Sequence, residues 1–466
     1  MKKRKILSMF LALALMVPLM AACSGGNDTK DTTAKETTKA DGKADSDDTK
    51  AAGAEATAAK PVASGDEVTI RIMTRWSDES PFSVYYRNKL EEFNAMDNGI
   101  IIVDESLSEE AAYLDKLRSS IATGNQPEIF IEYGGARIQD YVEAGILLDL
   151  QPALDADKAW ADSFLDDLFD KWYFDEYPGT FGIPTQFYAV MLYYNKALLE
   201  ENGFDAPPET MEEMIDMCQA MVDNGQQPMS LGEKDNWRGG HFLNNLVMKS
   251  YGAQGVTDIA NRDMNYDDPR MIELFAIIKE FNDKKFFGEN AVGVDANTED
   301  TDFLTNKVAL RFQGTWFIPQ ISADYDGDIE NIGVAPFPYI NEKFKQSYQG
   351  GTAEGFSVSD RPETNDAAIE VLKYLTSKEY FAGAEAYCNG GVYVSKFDSL
   401  PDADIDIVTQ QTKVLLADAK EFRDDIQTYD PESHMLDTVR AAIQGLFIGN
   451  TPEQCAAEIV AKEQIK

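Results

Sequence analysis

Between Val68 and Ile131 the apolar residues change their spacing from one segment to the next, and that alternation constrains the fold more than any other feature of the chain. Val68, Ile70 and Ile72 alternate with polar residues, the period of a strand; Phe82, Tyr86, Leu90 and Phe93 follow at helical spacing after Ser80-Pro81. Ile100 to Val103 is a continuous apolar run, and Tyr113, Leu114, Leu117 and Ile121 form a second helical face. Gly124 and Pro127 then lead into Ile129-Phe130-Ile131. The order strand, helix, strand, helix, strand predicts a parallel sheet with right-handed crossovers. Such sheets bind ligands at the carboxyl ends of their strands, here Thr74 to Asp78, Asp104 to Ser106 and Glu132 to Gly135.

A second region opens after Tyr177-Pro178-Gly179, where Phe181-Gly182-Ile183-Pro184-Thr185-Gln186 leads into a strand from Tyr188 to Tyr194. From Pro207 to Asn282 the apolar period is mostly helical, with clear faces from Met211 to Met221 and from Met271 to Phe281. Val308 to Phe312 and Ile332 to Pro336 have strand character. Gly350 to Gly355 suggests another crossing, followed by the strand Phe356-Ser357-Val358 and a helix from Ala367 to Leu375. The pattern fits an α/β chain whose two lobes share discontinuous segments, and no repeat of 20 to 50 residues is visible in it.

The N-terminus supplies an address. Met1-Lys2-Lys3-Arg4-Lys5 is basic, and Ile6 to Met20 is apolar but shorter than the roughly 20 residues that span hydrocarbon as a helix. Residues 1–22 are therefore assigned as a signal peptide. Its end, Leu19-Met20-Ala21-Ala22-Cys23-Ser24, resembles a bacterial lipobox, in which the cysteine becomes a lipid-carrying N-terminus. From Ser24 to about Asp66 the chain lacks aromatics, Leu, Ile and Met, so it buries too little to offset its ordering entropy. Residues 23–66 make a tether with a reach of about 35 to 40 Å. No later stretch approaches 18 consecutive apolar residues.

Charge and cysteine content remove further classes. The formal charge of −39 repels nucleic acid phosphate, whose recognition rests on clustered Lys and Arg. Cys23, Cys218, Cys388 and Cys455 are too far apart for a CxxC pair, and His241 and His434 are the only imidazoles, so a structural zinc cluster lacks ligands. Disulfide pairing stays open at this level. GxSxG, HExxH, GxGxxG and the P-loop pattern are missing from the sequence, which speaks against the familiar nucleophile, zinc and nucleotide chemistries. Asp324 to Glu330 mimics a calcium loop, but its glycine stands at the fourth position and not the sixth, so a solvated acidic turn is the better reading. No cofactor and no metal is expected.

Several blocks, in order, resemble the extracellular solute-binding proteins of family 1, the binding components of ATP-driven sugar importers that include maltose-binding protein. They are Val68-Thr69-Ile70-Arg71-Ile72, the turn Ile121 to Phe130 with Gly124 and Pro127, Val142 to Leu150, Gly182-Ile183-Pro184, and Leu192-Tyr193-Tyr194-Asn195-Lys196. Asn306 to Leu310, Gly314-Thr315-Trp316 and Gly350-Gly351 complete the series. Glu128 departs from the aspartate usual at its place. The resemblance implies a two-lobed, periplasmic-binding-protein-like (type II) fold, closing by a hinge of two or three strands over a sugar. The lobes would comprise 67–182 plus about 351–405, and 183–350 plus about 406–466. It also implies a monomer held by lipid on the extracellular face of the cytoplasmic membrane of a Gram-positive bacterium. That monomer would deliver its ligand to the transmembrane subunits of an ABC permease and do no chemistry of its own.

A pyranose presents an apolar C–H face and a rim of hydroxyls, so its site needs aromatic plates and directed polar groups. The candidates at strand ends and crossings are Trp76, Asp78, Glu132, Tyr133, Gln186, Phe187, Tyr188, Trp237 and Trp316. Gly350 and Gly351 are read either as a tight turn or as N–H donors facing the cleft. Trp160 and Trp172 lie in helical patterns and are assigned to the core. The alternatives are a binding protein for another solute, such as a polyamine or peptide, and a surface glycoside hydrolase, which needs only two well-placed carboxylates.

Overall fold

The computed structural model describes residues 67–463 except 166, 167 and 175. Residues 1–66, which carry the expected signal peptide, the lipidation candidate Cys23 and the expected tether, lie outside the described residues. The opening alternation forms as expected: β1 (Val68–Met73), α1 (Pro81–Asn94), β2 (Ile100–Asp104), α2 (Glu110–Ala122) and β3 (Ile129–Glu132). β1 pairs parallel with both β2 and β3, so the first strand lies between the second and third. α3 (Ala136–Glu143) follows directly on β3, and β4 (Tyr173–Phe174) with β5 (Tyr177–Thr180) makes a separate two-stranded ribbon.

Two long segments run from this first sheet into a second one. β6 (Ile183–Pro184) stands in the first sheet and β7 (Phe187–Asn195) in the second. β8 (Leu310–Gly314) and β9 (Ile332–Pro336) pair antiparallel with β7. The return path is β10 (Ser347–Thr352), on β7, then β11 (Gly355–Val358), back in the first sheet between β3 and β6. β12 (Glu421–Arg423) closes the edge of the second sheet beside β10. Thr185 N and Thr185 Oγ1 both donate to Glu354 O, at 3.0 and 2.8 Å, and Ala353 N donates to Gln186 O at 2.8 Å. The crossing segments are thus laced together where they pass from sheet to sheet.

Trp172 explains why glycine stands at both crossings. The residue is fully buried, and a Cβ at Gly182 or Gly355 would meet its ring at 2.3 or 2.6 Å. Trp160 is buried too, its Nε1 donating to Thr376 Oγ1 at 3.0 Å. The second sheet is backed by helices rich in Met and Phe, notably Met211–Asp223, Trp237–Ala260 and Pro269–Asp283. The capping box of Thr210 and Glu213 starts the first of these. The described cysteines, Cys218, Cys388 and Cys455, are free and buried. Asp328 accepts from Glu330 N at 3.1 Å, capping a single 3-10 turn within the acidic segment. Among the described residues no helix is long and apolar enough to cross a membrane.

Candidate ligand-binding site

A cavity of about 370 Å³ opens where the strand ends of both sheets meet the crossings. Seven of the residues singled out in the sequence line it: Trp76 and Asp78 after β1, Tyr133 after β3, Gln186 and Tyr188 on the first crossing, and Trp237 and Trp316 from the second sheet's side. Their roles differ by burial. Trp76 is 7% exposed and sits edge-on among Phe82, Tyr86 and Phe356, at centroid distances of 5.1, 4.9 and 5.6 Å, so it forms a wall. Trp316 keeps 37% of its surface in the open, backed by Tyr188 at 5.2 Å and His241 at 6.0 Å. It is a plate with a free face. A 3-10 turn directly after β8 carries it, and Gly314 is required there because a Cβ would meet the indole at 2.1 Å. Trp237 begins its helix and packs edge-on against His241 one turn on, at 4.8 Å.

The other four candidates lie off the cavity wall. Glu132 is buried under the end of β3, where it pairs with Arg137 at 3.3 Å and accepts from Tyr133 N at 3.2 Å. Burial raises its pKa, and Arg137 opposes that rise. Phe187 points to the opposite face of β7 from Tyr188, as strand alternation requires, and packs on Phe422 at 5.2 Å. Gly350 and Gly351 do not form a tight turn, and they are not among the residues lining this cavity. They belong to β10, opposite Ala189 and Tyr188, and line a second cavity behind the crossings together with Phe187. A Cβ at Gly350 would lie 2.4 Å from Tyr188 O, so close strand approach sets that residue.

The polar lining was mostly invisible in the sequence. Glu354, 3% exposed, accepts from Trp76 Nε1 at 2.9 Å and from Arg75 Nη2 at 3.2 Å. Arg75 also reaches Glu110 at 3.5 Å, and Arg75 and Arg137 both lie over the Tyr133 ring, at 5.3 and 4.4 Å. Burial would push the Glu110 carboxyl up, but the fields of Arg75, Arg440 and Arg137 together hold it below its ordinary value. On the other side Asp424 takes the Tyr188 hydroxyl and the ammonium of buried Lys171, which also donates to Ala353 O at 3.0 Å. Asp425 accepts from Gln349 Nε2 and lies 3.8 Å from His241 Nε2. Burial raises the Asp425 pKa and, with help from Arg238 and Arg440, drives that of His241 well down, so His241 is a neutral imidazole.

The missed residues divide by signal. Glu354 stands inside the crossing block Gly350 to Gly355, and Arg75 adjoins a candidate tryptophan, so both were within reach of sequence reasoning. Asp424, Asp425 and Arg440 come from the last sixty described residues and carry no local mark of a cleft. Arg238, next to Trp237, does not line the cavity; it is buried and paired with Glu299 at 2.8 Å. Among the described residues no cluster of three or more His, Cys, Asp or Glu is arranged to hold a metal ion.

Two α/β lobes joined by crossing strands, with an aromatic and polar cavity at the crossing, define a two-lobed solute-binding protein. Residues 76–380 match the model of the bacterial extracellular solute-binding proteins, and the chain belongs to that family. A structure from work on xylan utilization by the thermophilic bacterium Caldanaerobius polysaccharolyticus is 24% identical with a TM-score of 0.77, covering 85% of this chain and all of that one. A chitin oligosaccharide binding protein is 23% identical with a TM-score of 0.76, covering 86% of this chain and 99% of its own. The osmoprotective compounds-binding protein GgtB of Synechocystis is 22% identical over 317 residues, 64% of this chain and 69% of its own length. The family is one of solute-binding proteins, and the chitin oligosaccharide protein and GgtB are named as binding proteins.

Proposed function

We propose that this chain is a lipid-anchored receptor that captures a sugar or short oligosaccharide between its lobes and delivers it to the transmembrane subunits of an ABC importer. The observation that carries this reading is Trp316, an open indole face inside a cavity rimmed by carboxylates and guanidiniums. A sugar ring needs that combination: stacking for its C–H face and directed hydrogen bonds for its hydroxyls. Structures of similar fold whose descriptions name xylan utilization and chitin oligosaccharide support the same class. A division into 67–182 plus about 351–405, and 183–350 plus about 406–466, is close to the strand membership of the two sheets, which moves its bounds by two residues: β6 (Ile183–Pro184) belongs with the first sheet and β10, to Thr352, with the second. The two crossings laced at Thr185, Gln186, Ala353 and Glu354 would act as the hinge.

Isothermal titration of the purified protein against mono- and oligosaccharides tests this reading. A stoichiometric isotherm with one sugar class and no product release supports a receptor; steady hydrolysis of an oligosaccharide would instead establish a glycoside hydrolase. A response to polyamines or peptides alone would keep the fold and replace the ligand. The anchor is tested by Cys23→Ala, which should release the protein from membranes into the medium.

A further inference from the structure

Resting on the sugar-receptor reading above, we infer that one ligand hydroxyl is held between His241 Nε2 and Asp425 Oδ2, and that this bridge decides which sugar configuration the cavity accepts.

A relay of buried amides fixes the two groups relative to each other. Both line the cavity, His241 on the helix Trp237–Ala260 and Asp425 two residues after β12. Asn245 Nδ2 donates to His241 O at 2.8 Å and to Gln349 Oε1 at 2.5 Å, and Gln349 Nε2 donates to Asp425 Oδ1 at 2.5 Å. Asn245 and Gln349 are fully buried, and such a network holds a polar group in one place. From the same helix Asn244 Oδ1 accepts from Ile426 N at 3.1 Å, which ties down the backbone beside Asp425. Asp425 thus commits Oδ1 to the fold and leaves Oδ2 towards His241, 3.8 Å from Nε2.

The gap has the size and polarity of a hydroxyl. At 3.8 Å the two atoms are too far apart to hydrogen-bond directly, and an oxygen about 2.8 Å from each fits between them. His241 is neutral, and its Nδ1 is buried without a partner among the described residues. An N–H there would have no acceptor, whereas one on Nε2 faces the carboxylate, so the proton is assigned to Nε2. The gap therefore offers one donor and one acceptor. A hydroxyl supplies the complement, its oxygen accepting from Nε2 while its proton goes to Oδ2. The imidazole centroid lies 4.8 Å from that of Trp237 and 6.0 Å from that of Trp316, so the bridged hydroxyl stands at the edge of a sugar ring stacked on Trp316. Inverting that one carbon would take the hydroxyl out of the gap and leave both protein groups unpaired, which discriminates more sharply than apolar contact does.

Calorimetric titration tests the bridge. Neutral mono- and oligosaccharides of gluco, galacto, manno and xylo configuration are titrated first, then the monodeoxy and deoxyfluoro analogues of the tightest binder, one position at a time. At one position both analogues should bind about 10- to 100-fold more weakly than the parent, since fluorine gives no proton to Oδ2. Asp425→Asn and His241→Leu should each cut the deoxy penalty at that position to about threefold or less and leave the other positions unchanged. His241→Gln, which retains an N–H donor, should keep part of the penalty. Apo melting temperatures check that the variants fold, and should His241→Leu fail to do so, Asp425→Asn and His241→Gln carry the assignment. No position with such a penalty in the native protein, as a water in the gap would give, or a penalty that survives the variants, would overturn the bridge and leave the sugar receptor standing. Failure of every sugar to bind would overturn the sugar reading itself, and the bridge with it.

Discussion

Trp76 Nε1 donates to Glu354 Oε1 at 2.9 Å across 278 positions of sequence, joining the end of β1 to the bend between β10 and β11. The same carboxylate accepts from Arg75 Nη2 at 3.2 Å, so one buried acid fixes two neighbouring side chains that line the cavity. Removing it should therefore cost more than any single hydrogen bond. Glu354→Ala leaves a buried indole N–H and one side of a guanidinium without their acceptor, and we expect a loss of about 3 to 5 kcal/mol in urea unfolding. Glu354→Gln, which keeps an acceptor for Trp76, should recover part of that. Equal losses in the two variants would mean that shape and not hydrogen bonding holds the corner.

Trp316 offers the complementary case. Its ring is open on the cavity side, so Trp316→Ala removes little that the unliganded fold depends on. Sugar affinity should fall by about 1 to 3 kcal/mol, between the value of an aromatic contact and that of a hot-spot aromatic. The apo melting temperature should stay nearly constant. A drop in apo stability as large as the loss in affinity would assign the ring to the core.

Gly350 is fixed by backbone proximity. A methyl group there would sit 2.4 Å from Tyr188 O and 3.0 Å from Ala189 Cα, atoms of the adjacent strand that cannot swing aside. Gly350→Ala should destabilise the protein by about 1 to 3 kcal/mol through forced separation of β7 and β10, read by chemical denaturation. Because Tyr188 also lines the cavity, ligand affinity should weaken with it.

His241 gives a pH dependence with a defined sign. Burial first, then Arg238 and Arg440, hold its folded pKa well below the value an unfolded chain would show, near 6.5. The unfolded state thus binds the proton that the folded state refuses, and stability falls as pH drops below about 6.5. The contribution of one such group is at most about 1.4 kcal/mol per pH unit. His241→Gln should flatten this part of the stability profile between pH 7 and 5. An unchanged slope would show that other groups set it.

The sequence by itself determined the element order of the first lobe, because the period of the apolar residues reports which face each segment buries. β1 to β3 with their two helices stand where the spacing put them, and so do the strand ends that approach the cavity at Trp76 and Tyr133. Aromatic candidates at crossings were legible for the same reason: Tyr188 and Trp316 adjoin strands whose limits composition marks. What only the tertiary structure decided is which polar side chains face them. Asp424, Asp425 and Arg440 reach the cavity from the far end of the chain, and Glu354 meets Trp76 over hundreds of residues. Phe187 and Tyr188 are neighbours in sequence, yet strand alternation sends one to the second cavity behind the crossings and the other into the main cavity. Local spacing encodes burial along one element. The placing of charges around a cavity is a property of elements brought together, and no window of sequence contains it.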